Sequence, residues 1–446
     1  MGRDTLHIMM YPWFAIGHLT AFMRLANKLA QRGHKISFFL PPNTLPKVTP
    51  HNLHPHLITL IPIAVPVVEG LPFGAETTND IPFPLQPLIM KAMDRTETDI
   101  KLAITSLKPD FVFFDFTHWL PALARRLGVK SVHYCSMSSA SVAYLLVPAR
   151  LEENPTMETT KVKLMSQPQG FPSNSSVMLK SYEAQALSWF EHMEFGAGDK
   201  LGDGGKFCDY VKAQFGKPVL LSGPVIPDSP LSRLEDRWDD WLKRFERGSV
   251  VYCSFGSECV LKKEQYEEVL LGLEMTGRPF LVALRLPEEA KTVEEAMPEG
   301  FSVRVEGRGV VHEGWMQQQL ILGHDNVGCF VTHCGSGSIS EALASECRLV
   351  LVPQMGDQYV NARVVGGEWK VGVEVERREE DGWFGSENLF RAVQVVMDGK
   401  SRVGKEIREN HKKWKEYLLR DGLEGSYIDG FIKDLQDMLE VQDQTC

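Results

Sequence analysis

The chain has 446 residues and a formal net charge of −10. This length exceeds what one ordinary hydrophobic core serves, so we expect two domains. The acidic balance disfavours a nucleic-acid partner or an anionic membrane surface, because the field of the whole protein would repel both. No apolar run approaches the roughly 20 residues that span a bilayer, and the N-terminus lacks a signal-peptide pattern, so we expect a cytoplasmic protein without a membrane span.

The first half alternates apolar runs with helical patterns. Buried strands are predicted in "LHIMMYPW", "KISFFL", "KPDFVFFDF" and "VKSVHYCS", and helices in "LTAFMRLANKLAQRG", which ends at Gly33, and "HWLPALARRLG". The proline-rich stretch 43–87 is expected to form loops and short elements over one sheet edge. The alternation favours a parallel sheet with helices on both faces.

Proline and acidic residues concentrate at 226–248, which predicts a linker between an N-terminal domain, 1–225, and a C-terminal domain, 249–446. The second half repeats the alternation from "SVVYCSFGS" to "VGVEVE". The last helices, from about Ser386, are expected to pack back on the first domain. Ligands of open α/β sheets bind beyond the carboxyl ends of the strands, so we expect the active site in the cleft between two doubly wound domains.

A glycine loop in the second domain resembles a dinucleotide-binding fingerprint. Gly335, Gly337 and Ser340 fit the G-x-G-x-x-G/A spacing except for the serine, and Asp357 follows Gly337 by twenty residues. NAD binding is therefore one interpretation. Its position argues against it, because the loop follows about the fourth strand of its domain, whereas a dinucleotide fold usually carries its loop after the first strand.

Two other interpretations of this loop remain. Free amides at a helix start could bind a diphosphate without metal. Alternatively, Ser338 as N-cap with Glu341 three residues later would form an ordinary capping box.

A candidate proton-transfer pair comes from two other strand ends. His18 follows the first strand, and a histidine pKa of about 6.5 suits proton abstraction near neutrality. Asp115 ends a neighbouring strand and could hold the imidazole in one tautomer, although it could also cap the next helix. No G-x-S-x-G motif and no Asp-x-Asp triplet occur, so we expect neither a serine nucleophile nor a metal ion.

The block from Trp315 to Gln358, "WMQQQLILGHDNVGCFVTHCGSGSISEALASECRLVLVPQMGDQ", resembles the signature of the plant UDP-sugar-dependent glycosyltransferases. The likeness extends from "PWFAIGH" through "VVYCSFGS" to the C-terminal helices. It implies a GT-B fold of two Rossmann-like domains facing across a cleft. It also implies inverting, metal-independent sugar transfer, with the acceptor bound by the first domain and the UDP-sugar by the second.

The resemblance also implies a role for each matching residue. His18 would be the base and Asp115 its partner. Trp315 would stack on uracil, with the backbone of Met316 reading its edge, and Gln318 and Glu341 would bind the ribose. The remaining donor contacts would be to the diphosphate, from Ser257, His333, Gly335, Ser336, Gly337 and Ser338, and to the sugar, from Asp357 and Gln358. Near the base, the acceptor would meet Trp13, Phe14, His118 and Trp119.

The sequence departs from the family pattern at two places: Gln317 replaces a common proline, and Ser336-Gly337 replaces Trp-Asn. With "PWFAIGH" and "LVPQMGDQ", this pattern is similar to the branch that extends sugars on flavonoid or anthocyanin glycosides. We therefore predict a monomeric, cofactor-free enzyme that transfers a sugar from UDP-glucose, UDP-xylose or UDP-rhamnose to a sugar hydroxyl of such a glycoside. Transfer to an aglycone, NAD-type oxidoreduction and non-catalytic binding of a nucleotide sugar are the alternatives.

Overall fold

The structure is a computed structural model that describes residues 5–150, 156–191, 205–228, 230 and 232–443. The strands are β1 His7–Tyr11, β2 Lys35–Leu40, β3 Ile58–Pro62, β4 Phe111–Phe114, β5 Lys130–His133, β6 Val250–Ser254, β7 Phe280–Ala283, β8 Gly309–His312, β9 Val327–Thr332, β10 Arg348–Leu351 and β11 Gly372–Glu374.

The α-helices are α1 Ile16–Ala30, α2 Leu45–Val48, α3 Gln86–Asp94, α4 Glu97–Leu107, α5 Leu120–Arg126, α6 Ser139–Leu145, α7 Met157–Leu164, α8 Ser181–Glu191, α9 Gly205–Phe215, α10 Asp236–Leu242, α11 Lys263–Met275, α12 Val293–Ala296, α13 Phe301–Arg304, α14 Gln318–Leu322, α15 Ser336–Leu343, α16 Gln358–Ala362, α17 Ser386–Met397, α18 Arg402–Leu418 and α19 Leu423–Asp443. A π-helical segment, Arg363–Glu368, continues α16.

The chain divides into two compact units. Unit 1 comprises Met1–Leu151, Phe190–Val225 and Asp421–Cys446, and unit 2 comprises Glu152–Trp189 and Ile226–Arg420. The division therefore differs from a single change of domain at 226–248 in two segments, Glu152–Trp189 and Asp421–Cys446.

Unit 1 contains a five-stranded parallel sheet of order β3-β2-β1-β4-β5. The chain order reverses between β1 and β4, the strands that precede His18 and Asp115. In a doubly wound sheet the crevice at such a switch point is the expected ligand site. Every residue of β4 is buried, as a strand with both faces covered requires.

One strand of unit 1 was not predicted from the sequence. The stretch 43–87 is not only loops and short elements over the edge of the sheet, because Ile58–Pro62 joins the sheet as its edge strand β3. The strand is mostly apolar, but only Ile58 in it is buried, as befits an edge position. A proline at the end of an edge strand is tolerated, because one side of that strand has no neighbouring strand to hydrogen-bond.

Unit 2 contains a six-stranded parallel sheet of order β11-β10-β9-β6-β7-β8. The strands of this sheet coincide with the apolar runs of the sequence. The order reverses between β6 and β9, which are followed by the Ser257 loop and by the glycine loop. The glycine loop thus follows the fourth strand of the unit, as predicted, and lies at its switch point.

The described part of the chain contains no candidate membrane span, no candidate metal-binding cluster and no disulfide. No helix there combines the length and apolar character needed to cross a bilayer. No group of three or more His, Cys, Asp or Glu side chains there could hold a metal ion. The seven cysteines in these residues are all free thiols.

Candidate functional site

The histidine and the aspartate of unit 1 form a direct pair. His18 Nδ1 lies 2.6 Å from Asp115 Oδ2, and the side chains are 23% and 3% exposed. A carboxylate only accepts, so Nδ1 carries the proton and donates it, which leaves the lone pair of the ring on Nε2. The pair can therefore act as an oriented base.

The surroundings of the pair hold Asp115 in place. Its Oδ1 accepts from the backbone N–H groups of Trp13, at 2.6 Å, and Phe116, at 2.9 Å. Asp115 does not cap α5, whose N-cap position is Trp119 without a side-chain cap bond. This alternative was wrong because the carboxylate is directed to the loop after β1 instead.

Two residues near the pair were missed by the sequence reasoning. The ring of Phe116 packs edge-on against His18, with centroids 5.5 Å apart, and Ser136 Oγ lies 3.2 Å from His18 Nδ1. Phe116 follows Asp115 directly, so its proximity could have been inferred. Ser136 comes from the loop after β5, and only the folded sheet brings it close.

The residues predicted to meet the acceptor differ in exposure. Phe14 is fully buried in the core of unit 1, so its side chain offers no surface to a ligand, and Trp13 is nearly buried. His118 is exposed and Trp119 is half-buried. Both residues contact the carboxylate of Asp94.

In unit 2, the glycine loop runs directly into α15. The helix begins at Ser336 after the extended Gly335, which has φ −63° and ψ 140°. Ser338 is therefore the third helical residue and not an N-cap, so the capping-box interpretation was wrong. The helix begins three residues earlier than that pattern assumes, and the first amides, which lack intrahelical partners, belong to the glycine loop itself.

Cys334 sets the direction of this loop. It is fully buried and adopts a left-handed backbone with φ 68°, a conformation that costs a non-glycine residue of order 1 kcal/mol or more. Its carbonyl accepts from Asn361 Nδ2 at 3.1 Å. Backbone strain of this kind persists where the surrounding structure fixes it.

His333 packs closely against two glycines. A Cβ atom on Gly335 would lie 2.6 Å from its Nε2, and one on Gly256 would lie 2.8 Å from it. Burial lowers the pKa of His333 to about 4, so the ring is neutral near pH 7. Its buried Nδ1 has no hydrogen-bond partner within the described residues.

The start of α15 is connected to the start of α16 by a polar network. Ser336 Oγ donates to Asp357 Oδ2 at 3.2 Å, and Asn361 Nδ2 donates to the same oxygen at 2.9 Å. Asp357 occupies the N-cap position of α16, but its side chain makes no capping bond. Asn361 was missed, although its position four residues after Asp357 on a predicted helix would have indicated a contact.

The residues predicted to bind uridine adjoin one another. The indole of Trp315 is 75% exposed and is thus no core aromatic, whereas Met316 is buried and its carbonyl accepts from the N–H of Gln318. Gln318 Nε2 donates to Glu341 Oε2 at 2.8 Å and to Ser338 Oγ at 3.1 Å.

The other predicted donor contacts lie at the neighbouring strand ends. Ser257 is half-buried, and its carbonyl accepts from Arg285. Gln358 Oε1 accepts from the backbone N–H groups of Gln354 and Met355, at 3.0 and 3.1 Å, which leaves its amide Nε2 as the donor. Gly337 is exposed in the first turn of α15.

Comparison with known proteins identifies the family. Residues 209–408 match the family model of UDP-glucoronosyl and UDP-glucosyl transferase. The chain is 54% identical, over 98% of its length, to the full length of a cyanidin 3-O-galactoside 2''-O-xylosyltransferase of Actinidia chinensis var. chinensis. The chain belongs to the UDP-glycosyltransferase family.

Further matches agree with this membership. An anthocyanidin 3-O-glucoside 2''-O-glucosyltransferase of Ipomoea nil is 49% identical, with 98% of each chain covered. The crystal structure of UGT73P12 of Glycyrrhiza uralensis, complexed with glycyrrhetinic acid 3-O-monoglucuronide, superposes with a TM-score of 0.80 at 21% identity, covering 99% of this chain and 98% of that one. The glycosyltransferase class and the GT-B fold predicted from the sequence are therefore confirmed, and the NAD interpretation is wrong.

The reason for the error lies in the shared chemistry of phosphate binding. Glycines and free amides at a helix start serve any diphosphate, whether of a dinucleotide or of a UDP-sugar. In this UDP-glycosyltransferase, Asp357 touches the glycine loop through Ser336. The twenty-residue spacing therefore reflects a contact inside unit 2.

Proposed function

We propose that this UDP-glycosyltransferase transfers a sugar from a UDP-sugar to a hydroxyl group of the sugar in a flavonoid or anthocyanin glycoside, with inversion at the anomeric carbon. The observation that carries the proposal is the 2.6 Å contact between His18 and Asp115. The named activities of the relatives from Actinidia and Ipomoea, both directed to the 2'' position of a 3-O-glycoside, support the acceptor class.

In the proposed reaction His18 acts as the general base. Its Nε2 takes the proton of the acceptor hydroxyl while the oxygen forms a bond to the anomeric carbon, opposite the leaving UDP. The bond between that carbon and the diphosphate oxygen breaks, and the electron pair leaves with UDP. Asp115 stabilises the imidazolium that forms.

The donor contacts proposed in unit 2 follow from the chemistry of its strand ends. The first-turn amides of α15 donate to the diphosphate and stabilise the charge that develops on it, a contribution of about 3 kcal/mol for a well-aimed donor. Neutral His333 adds a donor without adding a positive charge. Asp357 and the Nε2 amide of Gln358 bind hydroxyl groups of the transferred sugar.

One experiment tests which donor sugar and which acceptor the enzyme uses. UDP-xylose, UDP-glucose, UDP-rhamnose and UDP-galactose are each supplied with a flavonoid 3-O-glycoside or with its aglycone, and products are analysed by mass spectrometry and NMR. The relatives named above divide between xylosyl and glucosyl transfer, so similarity does not select the sugar. The expected product carries the new sugar on the acceptor sugar, with its anomeric configuration inverted relative to the donor, and products formed only from the aglycone would overturn the acceptor class.

His18→Ala tests the proposed base. Loss of the base should lower kcat by at least about 10²-fold, because general base catalysis contributes that much or more. The Kd for UDP, measured by calorimetry, should stay within about twofold. Asp115→Asn should lower kcat as well, since an amide no longer fixes the tautomer.

The control for this test is His56→Ala, which removes an exposed histidine of unit 1. Its kcat should equal that of the wild type. Wild-type turnover by His18→Ala would contradict the proposed base, and UDP binding without transfer by the wild type would favour a non-catalytic binder.

A further inference from the structure

A second aspartate–histidine contact lies beside the His18–Asp115 pair in unit 1. Asp94 Oδ1 accepts from the indole Nε1 of Trp119 at 3.1 Å and lies 3.5 Å from His118 Nδ1. The side chains of Asp94 and His118 are 31% and 39% exposed. Both are thus anchored on one side and accessible on the other.

The position of Asp94 is unfavourable for stability. It is the last residue of α3, where the negative end of the helix dipole repels a carboxylate. Partial burial raises the pKa of Asp94, and no lysine or arginine contacts it in the described part of the chain. Its Oδ2 makes no hydrogen bond with any described residue. The helix therefore does not stabilise a carboxylate at this position, whereas a ligand that donates a hydrogen bond to Oδ2 would.

The cluster has the chemistry of a sugar-binding site. Asp94 Oδ2 can accept from one or two hydroxyl groups, and the imidazole of His118 can donate or accept. Trp119 contributes an indole that is apolar on its face and polar at its N–H, which is engaged by Asp94. Few, well-placed polar groups beside an aromatic ring are typical of sites that orient a small polar ligand.

The cluster is also close to the proposed base. His118 follows Asp115 by three residues, so their Cα atoms lie within about 11 Å of each other. Phe116, between them in the chain, touches the ring of His18 on one side and that of Trp13 on the other, with centroids 5.5 and 5.4 Å apart. The loop 115–119 therefore carries both the partner of the base and two members of the Asp94 cluster.

We propose that Asp94 and His118, with Trp119 holding the carboxylate, bind hydroxyl groups of the sugar already present on the acceptor. This inference rests on the proposed function and deepens it, because it assigns the residues that distinguish a glycoside from an aglycone. Asp94 and His118 touch the acceptor in this arrangement, and Trp119 is a positioning residue.

The test compares Asp94→Asn and His118→Ala with the wild type, using the full-length enzyme and the best donor from the panel. The KM for a flavonoid 3-O-glycoside should rise about tenfold or more in each variant, because a site built to hydrogen-bond a hydroxyl discriminates strongly when one partner is lost. The KM for the UDP-sugar and the Kd for UDP should change less than twofold. Asp99→Asn, which removes an exposed carboxylate of α4, serves as the matched control and should leave both KM values unchanged.

Acceptors that each lack one hydroxyl group distinguish ligand binding by Asp94 from a purely structural role of this residue. With the wild type, the monodeoxy glycoside that lacks the hydroxyl group bound by Asp94 should have a higher KM than the complete glycoside. For Asp94→Asn, that same deletion should have no further effect, since the two changes remove one interaction. Additive effects, or a glycoside KM within twofold of the wild type in both variants, would overturn the inference while leaving the proposed function intact. A wild type that uses only aglycones would refute both.

Discussion

At the scale of single residues, His333 links the two loops at the switch point of unit 2. Its imidazole fills the space beside Gly335 and Gly256, so a Cβ atom at either position would require the ring to shift. Gly335 has an ordinary backbone conformation that alanine can adopt. The glycine is thus required by the neighbouring ring and not by its own φ angle.

Gly335→Ala tests this requirement. The added Cβ would lie 2.6 Å from His333 Nε2, so the ring must move by the order of 1 Å. The KM for the UDP-sugar should rise between about 10-fold and 100-fold, the range expected when a binding group is misplaced by that amount. The control is Gly430→Ala, whose Cβ would meet nothing within 4 Å. Equal KM values for the two variants would contradict the role of the ring.

Two histidines of unit 2 should make stability depend on pH. Burial lowers the pKa of His333 and of His411 to about 4, from the ordinary value of about 6.5. Above pH 6.5 each ring is neutral whether the chain is folded or unfolded, and neither affects stability. Between pH 6.5 and 4 the unfolded chain binds protons that the folded chain does not, so the free energy of unfolding falls as the pH is lowered.

The measurement is urea unfolding followed by tryptophan fluorescence at several pH values between 7.5 and 4. His411→Gln should reduce the slope of the free energy against pH, because one of the two groups no longer titrates. His56→Gln, at an exposed position, should keep the slope of the wild type. An unchanged slope for His411→Gln would show that this histidine titrates alike in both states.

At the scale of elements, a buried cluster of ion pairs connects α8 to the sheet of unit 2. Arg363, in the π-helical segment, contacts Glu183 of α8 and Glu374 of β11. Glu183 is fully buried and also accepts from the backbone N–H of Lys180 at 2.7 Å. This explains why a segment far from the strands in sequence belongs to unit 2.

Arg363→Met should lower the stability of unit 2 strongly. It leaves Glu183 buried without its cation, which typically costs about 3–5 kcal/mol. Differential scanning calorimetry should show a lower Tm for the transition of this unit. Arg391→Met breaks an exposed pair with Glu387 and should shift the Tm little. A similar small shift for both variants would mean that the buried cluster contributes no more than a surface pair.

At the scale of the whole molecule, the C-terminal segment completes the core of unit 1. Ile428, Phe431 and Leu435 of α19 are buried with the first strands of the chain, and the ring centroids of Phe431 and Phe113 lie 6.0 Å apart. The last helix is therefore part of the folding unit that carries His18.

Phe431→Ala should destabilise unit 1 by about 3–5 kcal/mol, the usual cost of truncating a buried phenylalanine. The expected result is a lower Tm and loss of activity at temperatures that the wild type tolerates. Leu102→Ala, at an exposed position of α4, should change the Tm little. Matching Tm values for Phe431→Ala and the wild type would contradict the role of α19 in this core.

Short sequence patterns were enough to predict the features that depend on neighbouring residues in the chain. Apolar runs predicted the inner strands, because a strand buried on both faces needs apolar side chains throughout. The pair of His18 and Asp115 followed from their places at strand ends, since the carboxyl ends of parallel strands share one edge. The family signature between Trp315 and Gln358 led to the enzyme class.

Tertiary structure decided the features that depend on distant contacts. The start of α15 at Ser336 and the approach of Asp94 to Trp119 are not encoded in any short pattern. The unit to which Glu152–Trp189 and Asp421–Cys446 belong is likewise set by what their side chains pack against. Periodicity reports which face of an element is buried, but the burying partner can lie hundreds of residues away along the chain.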